Sequence, residues 1–319
     1  MIVVLTGGTG GAKFVDGLCR IVPSEELTVI VNTGDDHEWW GLYVSPDIDS
    51  IAYALSGLLS PERGWGVRGD TFHCLQQMKE LGEETWFSVG DRDLAIHILR
   101  TKLLAKGRPL SEVTQVISEK LGLRQRILPM SDQRTQTRIA TPIGELSFEE
   151  YFVKRWYQDP VESVRFAGAT ECDPAPRVIE AIAAAEAILI APSNPVTSIG
   201  PILAVPGIRE ALQKTSAPVV AISPIIGTAA VSGPAGNLMA AQGLEVSIAG
   251  IANAYADFLD ILLAHDTDLE AAKSVREGNV QIHCADILMR TVEDRTRVAA
   301  AALSLACPQM PKAAAGEIS

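Results

Sequence analysis

The chain has 319 residues, 47% hydrophobic and 21% charged, enough for one large domain with an insertion or for two ordinary domains, and the composition argues against global disorder. The formal net charge is −12 and the pI near 4.9, so nucleic acid is excluded as a partner class; a small phosphorylated ligand stays open, because backbone amides and a bound cation can reverse the potential inside a cleft. Five scattered cysteines without a CxxC pair read as free thiols, the opening MIVVLTGG lacks a basic leader, and no apolar run approaches the ~18 residues that span a membrane, so a cytoplasmic protein is expected.

Residues 2–5 predict a strand, 12–21 a helix and 27–31 a second strand. Such a βαβ opening builds parallel sheets and places ligands beyond the carboxyl ends of the strands. Directly after the first strand comes Gly7-Gly8-Thr9-Gly10-Gly11-Ala12-Lys13. Its glycines admit backbone amides close to an anion, and the following helix adds unpaired N–H groups and a positive dipole end. The turn matches neither the dinucleotide fingerprint, which has a third glycine where Lys13 stands, nor the Walker pattern, which has longer spacing and a hydroxyl residue where Phe14 stands.

After the second strand, Asn32-Thr33-Gly34-Asp35-Asp36 and the later pair Asp47 and Asp49 offer carboxylates for a hard cation such as Mg²⁺. Asp35 and Asp49 are the better candidates, since the dipole of the helix opened by Ser45 and Pro46 explains Asp47 by itself. From 61 to 159 the rhythm changes, with helical segments near 69–81, 91–106 and 111–121 followed by a Thr/Arg-rich stretch with short strand-like pieces, read as an inserted, mostly helical subdomain. Asp91 there suits a helix cap. Trp39, Trp40, Trp65 and Trp86 are read as core packing before a flat-ring pocket.

The α/β rhythm resumes with strands expected at 164–167, 187–190, 218–222 and 246–249. Residues 1–60 plus 160–307 are thus expected to form a Rossmann-like α/β core with a parallel sheet, and 308–319 a flexible tail. The loop 191–201 presents Ser193, Asn194, Thr197 and Ser198 as neutral donors for phosphate, ribose or base. The histidines show no metal spacing and no motif argues for a covalent nucleophile, so chemistry by positioning and electrostatics is expected.

Taken in order, GGTGGAKF, VNTGDD, SPDIDS, RGWGVRGDT, VGDRDLA, LPMSDQ, APSNPVTSIGPIL and SPIIG resemble the 2-phospho-L-lactate transferase family of coenzyme F420 biosynthesis. The resemblance implies transfer of a phospho-three-carbon-acid group from a guanosine diphosphate-linked donor to the ribityl hydroxyl of the deazaflavin FO, with GMP released, Mg²⁺ required and a homodimer as the assembly. By the same resemblance Asp35 and Asp49 hold the metal and Asp36 is the candidate acceptor of the hydroxyl proton. Gly8, Thr9, Gly10, Gly11 and Lys13 face the donor's phosphates together with Asn194 and Ser198, while Asp70, Asp91, Met130 and Ser193 lie on the acceptor side. The competing reading is a nucleotide-sugar-binding regulator of the same superfamily without turnover. An NAD(P)-dependent oxidoreductase is disfavoured by Lys13 at the third glycine position.

Overall fold

The apolar runs near 2–5, 27–31, 187–190 and 219–222 become strands buried along their whole length, as expected for a parallel sheet covered by helices on both faces. The computed structural model describes residues 1–275 and 279–308, so the expected tail lies outside the described residues beyond Pro308. The chain runs β1 (Ile2–Thr6), α1 (Gly8–Leu18), β2 (Leu27–Val31), a hairpin of β3 (His37–Trp39) and β4 (Leu42–Val44), and α2 (Pro46–Leu55). There follow α3 (His73–Glu80), α4 (Asp91–Leu104), α5 (Leu110–Lys120), β5 (Arg126–Pro129), β6 (Gln136–Thr141), β7 (Gly144–Ser147) and β8 (Ser163–Ala167). The second half contributes β9 (Ala187–Ile190), β10 (Val219–Ile222), the short pair β11 (Ile225–Ile226) and β12 (Ala229–Ala230), β13 (Ile261–His265), β14 (Gln281–Ala285) and a C-terminal helix, Val292–Ala306.

The central sheet has seven strands in the order β14-β13-β10-β9-β1-β2-β5, every neighbouring pair parallel. Alternate residues of β1 enter two cores: Ile2 and Val4 pack with α1, α2 and the C-terminal helix, Val3 and Leu5 with the helices of the opposite face. Thr291 closes the start of the C-terminal helix with a capping box, its hydroxyl accepting from the Asp294 amide while the Asp294 carboxylate accepts from the Thr291 amide. Among the described residues no helix is long and apolar enough to cross a membrane.

Three elements differ from the sequence reading. Residues 126–129 lie within the expected insertion, yet they pair with β2 as the edge of the main sheet and carry α5 with them. The strand at 163–167 leaves that sheet and pairs antiparallel with β6, so the insertion contains a three-stranded sheet as well as helices. At 246–249 there is no strand: Ser247 caps a helix, Ile248–Ala254, its hydroxyl accepting from the Gly250 amide at 3.2 Å. There a local cap and small residues outweigh the β-branched pair Val246 and Ile248.

Helix α4 is locked to α2 by charge in the dry interior. Arg100, fully buried, binds both carboxylate oxygens of Asp49, at 3.0 Å through one nitrogen and in a shorter contact through the other. The same guanidinium donates to His97 Nδ1 at 3.2 Å, and Tyr53 donates to Asp93 at 2.6 Å beside it. Removing one partner strands the other charge, so Arg100→Leu is expected to lower unfolding free energy by about 3–5 kcal/mol in urea titration. Adding Asp49→Leu should recover part of that loss; a single substitution costing under about 1 kcal/mol would show that the pair does not hold the helices together.

Candidate active site

In a doubly wound sheet the ligand crevice opens where consecutive connections leave one strand in opposite directions. Here that strand is β1, flanked by β2 and β9, and the loops after all three converge at their carboxyl ends. The glycine turn after β1 is shaped by its neighbours. Gly8 takes φ +66°, which glycine adopts freely, and a Cβ on Gly11 would lie 1.9 Å from Thr6 Oγ1. Ser193 stitches the β9 loop to this turn, its hydroxyl donating to the Gly7 carbonyl at 2.7 Å and accepting from the Gly7 amide at 3.3 Å. Ser198 is buried against the same turn, its side chain bordering Gly7 and Gly8. The N-cap Gly7 has no side chain to close α1 and Asp47 takes only the Gly8 amide, so the amides from Thr9 to Gly11 are left for a ligand. Lys13 lies half-buried one turn on, its ammonium pKa lowered by burial and by Arg295.

Facing the turn is a group of buried carboxyls. Asn32 spans two of them, its amide nitrogen 2.9 Å from Asp35 Oδ2 and 2.9 Å from Asp47 Oδ2, while Asp47 Oδ1 accepts from the Gly8 amide at 2.7 Å. Asp36 accepts from Ser45 at 2.7 Å and Tyr43 at 3.0 Å. Glu149, which follows β7, joins them from more than a hundred residues further along the chain and is equally buried. Burial, then repulsion from Asp47 and Glu149, drives the Asp35 carboxyl well above the ordinary range. Burial is also the main cause at Asp36 and Glu149, each pushed up to about 8, and at Asp47, raised to about 6. The second oxygens of Asp35 and Asp36 are buried without a hydrogen bond, as is the Thr33 hydroxyl. Next to them His37 donates Nδ1–H to the Asp35 carbonyl at 3.3 Å, and burial depresses its ring to about 4.

Four of the expected site residues go elsewhere. Asp49 points away from the glycine turn: residues two apart on a helix lie about 200° apart around the axis, so only one of Asp47 and Asp49 can face it. Asp47 does, and Asp49 takes Arg100. Asp70 accepts from the amides of Arg92 and Asp93 and so caps α4, while Asp91 accepts from the amides of His73 and Cys74 and so caps α3. Reciprocal capping commits both carboxylates to backbone amides and leaves neither for an acceptor. Met130 is fully buried in the apolar core beneath the site. Asn194 turns its carbonyl back to the amides of Val196 and Thr197, which shapes the β9 loop and leaves only its NH₂ group for a ligand. Sequence reasoning missed Glu149, which sits in an ordinary-looking FEE run with no local signal of burial.

The chain matches the family described as 2-phospho-L-lactate transferase CofD over residues 2–303. It is 42% identical over 298 residues to the 2-phospho-L-lactate transferase of Methanosarcina mazei, covering 93% of this chain and 98% of that protein. It is 43% identical over 311 residues to the phosphoenolpyruvate transferase of Streptomyces coelicolor, covering 96% of this chain and 98% of the relative. In fold it is similar to the crystal structure of a upf0052-family protein from Bacillus halodurans, with TM-score 0.65 at 21% identity over 95% of this chain and 98% of that one.

In the folded chain Glu149 keeps its proton up to about 8, whereas the ordinary value is 4.5. Between these values the folded state binds a proton that the unfolded state has released, so its contribution falls as pH rises. Glu149→Gln removes that dependence. Its stability relative to the parent chain should therefore grow between about pH 5 and about pH 8 in urea titrations; a constant difference would mean that Glu149 is not held in the dry group.

Proposed function

The chain belongs to the 2-phospho-L-lactate transferase family, and from that membership we propose that it moves a phospho-three-carbon-acid group from a guanosine diphosphate-linked donor to the ribityl hydroxyl of FO, releasing GMP in coenzyme F420 biosynthesis. The relatives are named for 2-phospholactate and for phosphoenolpyruvate transfer at nearly equal identity, so the donor is defined here as that pair of acids. The names of these relatives support turnover over a regulator that only binds nucleotide sugars. A cytoplasmic homodimer is the setting that accompanies this reading.

One observation carries the reading: a glycine-lined helix start, with its Thr9–Gly11 amides left over, faces carboxyls whose burial and mutual repulsion raise Asp35. Amides suit the diphosphate, and the carboxyls suit a divalent cation. The donor set fits Mg²⁺ because it is all oxygen and because Asp35 and Asp36 each keep a buried oxygen without a partner. Asp35 and Asp47 would hold the ion, with Asn32 fixing the gap between them. Bound there, Mg²⁺ would neutralise the diphosphate as charge builds on the leaving GMP.

The chain's own residues do the rest. The first-turn amides of α1 hold the diphosphate in line, and Ser193 keeps the turn rigid by tying it to the β9 loop. Asp36, held by Ser45 and Tyr43, is placed to accept the proton of the attacking hydroxyl. Burial of the whole group excludes water, which would otherwise compete as the acceptor.

Purified protein incubated with FO, Mg²⁺ and each guanylylated acid should release GMP only when all three are present, with the product identified by mass. Asp35→Asn and Asp47→Asn should each lower kcat by roughly a hundredfold, about 3 kcal/mol of transition-state stabilisation, and weaken Mg²⁺ binding measured directly by calorimetry. Full activity with an unchanged Mg²⁺ titration in either variant would remove that residue from the ion.

A further inference from the structure

Two consecutive residues of α4 hold the two sides of the buried carboxyls. Successive side chains on a helix are turned about 100° apart, so Arg100 and Thr101 meet different elements. Arg100 binds Asp49 on α2, two residues after Asp47. Thr101 reaches the hairpin, where its hydroxyl accepts from the Tyr43 amide at 2.7 Å. Tyr43 in turn donates its phenol to Asp36 Oδ2 at 3.0 Å. Hydrogen bonds thus run from α4 through the backbone and ring of one tyrosine to a carboxyl of the site.

The register explains why Tyr43 needs the helix. β3 and β4 form a two-stranded ribbon paired His37↔Val44, Glu38↔Tyr43 and Trp39↔Leu42. In an antiparallel pair, residues that exchange both backbone bonds alternate with residues that exchange none, whose amides point out of the ribbon. Trp39 and Leu42 close the two-residue loop, so Tyr43 falls at an outward position and Thr101 is the partner of its amide. Strands of three residues are marginal by themselves, and this tie joins the apolar packing of Trp39 and Val44 in fixing the ribbon to α4. At the other end, Asp36 Oδ2 accepts from both Tyr43 and Ser45, while Oδ1 is buried with no partner. Two donors on one oxygen orient the carboxyl, so where Oδ1 points depends on where Tyr43 stands.

We infer that Thr101 is a positioning residue for the transfer: by holding the Tyr43 amide it fixes the phenol against Asp36, and the open Asp36 oxygen stays in place for the acceptor's hydroxyl. Arg100 ties α4 to α2 at the same turn, so the two contacts together set the spacing between Asp36 and Asp47. The inference rests on the transferase reading and on Asp36 as the proton acceptor. Displacing a reacting group by about 1 Å can cost about a hundredfold in rate, and losing one tether of several belongs at the low end of that range.

The test is a double-substitution cycle in the GMP-release assay, with kcat and the KM values for FO and donor measured separately. Thr101→Val keeps size and branching and removes the acceptor, whereas Thr101→Ser keeps it. Thr101→Val should lower kcat about tenfold and leave both KM values within about twofold, and Thr101→Ser should return kcat to within about twofold of the parent chain. In a Tyr43→Phe background, which already lacks the phenol, adding Thr101→Val should lower kcat by less than about twofold more. A contact that merely stiffens the fold would multiply with Tyr43→Phe instead. Thr101→Ala carries the same arms should the valine variant not fold, and a near-ultraviolet circular dichroism spectrum matching the parent identifies the folded variants. Unchanged kcat in the folded Thr101 variants, losses that multiply in the Tyr43→Phe background, or a loss that falls on KM overturns the positioning role while the transferase reading stands. A parent chain that releases no GMP overturns both.

Discussion

Repulsion among buried carboxyls is the constraint around which the site is organised. Asp35, Asp36, Asp47 and Glu149 are all withdrawn from water at the carboxyl end of the sheet, and desolvation is the largest cause of their raised pKa values. Such a group is unfavourable in an isolated fold, a cost that the proposed cation and phosphate would offset. Asn32 makes the arrangement tolerable by placing one amide between Asp35 and Asp47, which fixes their spacing without cancelling their charge.

The first turn of α2 separates two uses of the same chemistry. Asp47 and Asp49 are both buried aspartates two residues apart, yet one faces the glycine turn and the other closes an ion pair with Arg100. That pair lets α4 pack against α2, and Arg100 also draws Asp36 downward against the rise caused by burial. The helices of the insertion thus hold the hairpin and the carboxyl group in register with the sheet. The three-stranded sheet of the insertion adds to this: the Thr137 amide on β6 donates to the Gly34 carbonyl at 2.6 Å, and the segment after β7 brings in Glu149.

Caps and cores absorb much of what looks functional in one dimension. Asp70 precedes α3 and Asp91 opens α4, in stretches rich in charge and glycine, and each satisfies the first amides of the other's neighbouring helix. Met130 follows a strand and faces apolar neighbours. Trp39 packs against Trp86 as a core residue would, yet Trp39 Nε1 and His37 Nε2 are buried without a partner.

The sequence by itself determined the parallel sheet, because continuous apolar runs alternating with amphipathic helices have few other ways to be buried, and it determined the glycine turn, because its glycines directly follow a strand. It also marked the VNTGDD turn and the ordered motifs that carry family membership, since these are contiguous in the chain. Only the tertiary structure decided that Asp47 and not Asp49 faces that turn, that residues 126–129 complete the main sheet, that residues 163–167 leave it, and that Glu149 joins the buried carboxyls. The physical reason is common to all of these. Burial and partnership depend on which side of a helix or strand meets a segment far away in the chain, and spacing along a single sequence does not specify that partner.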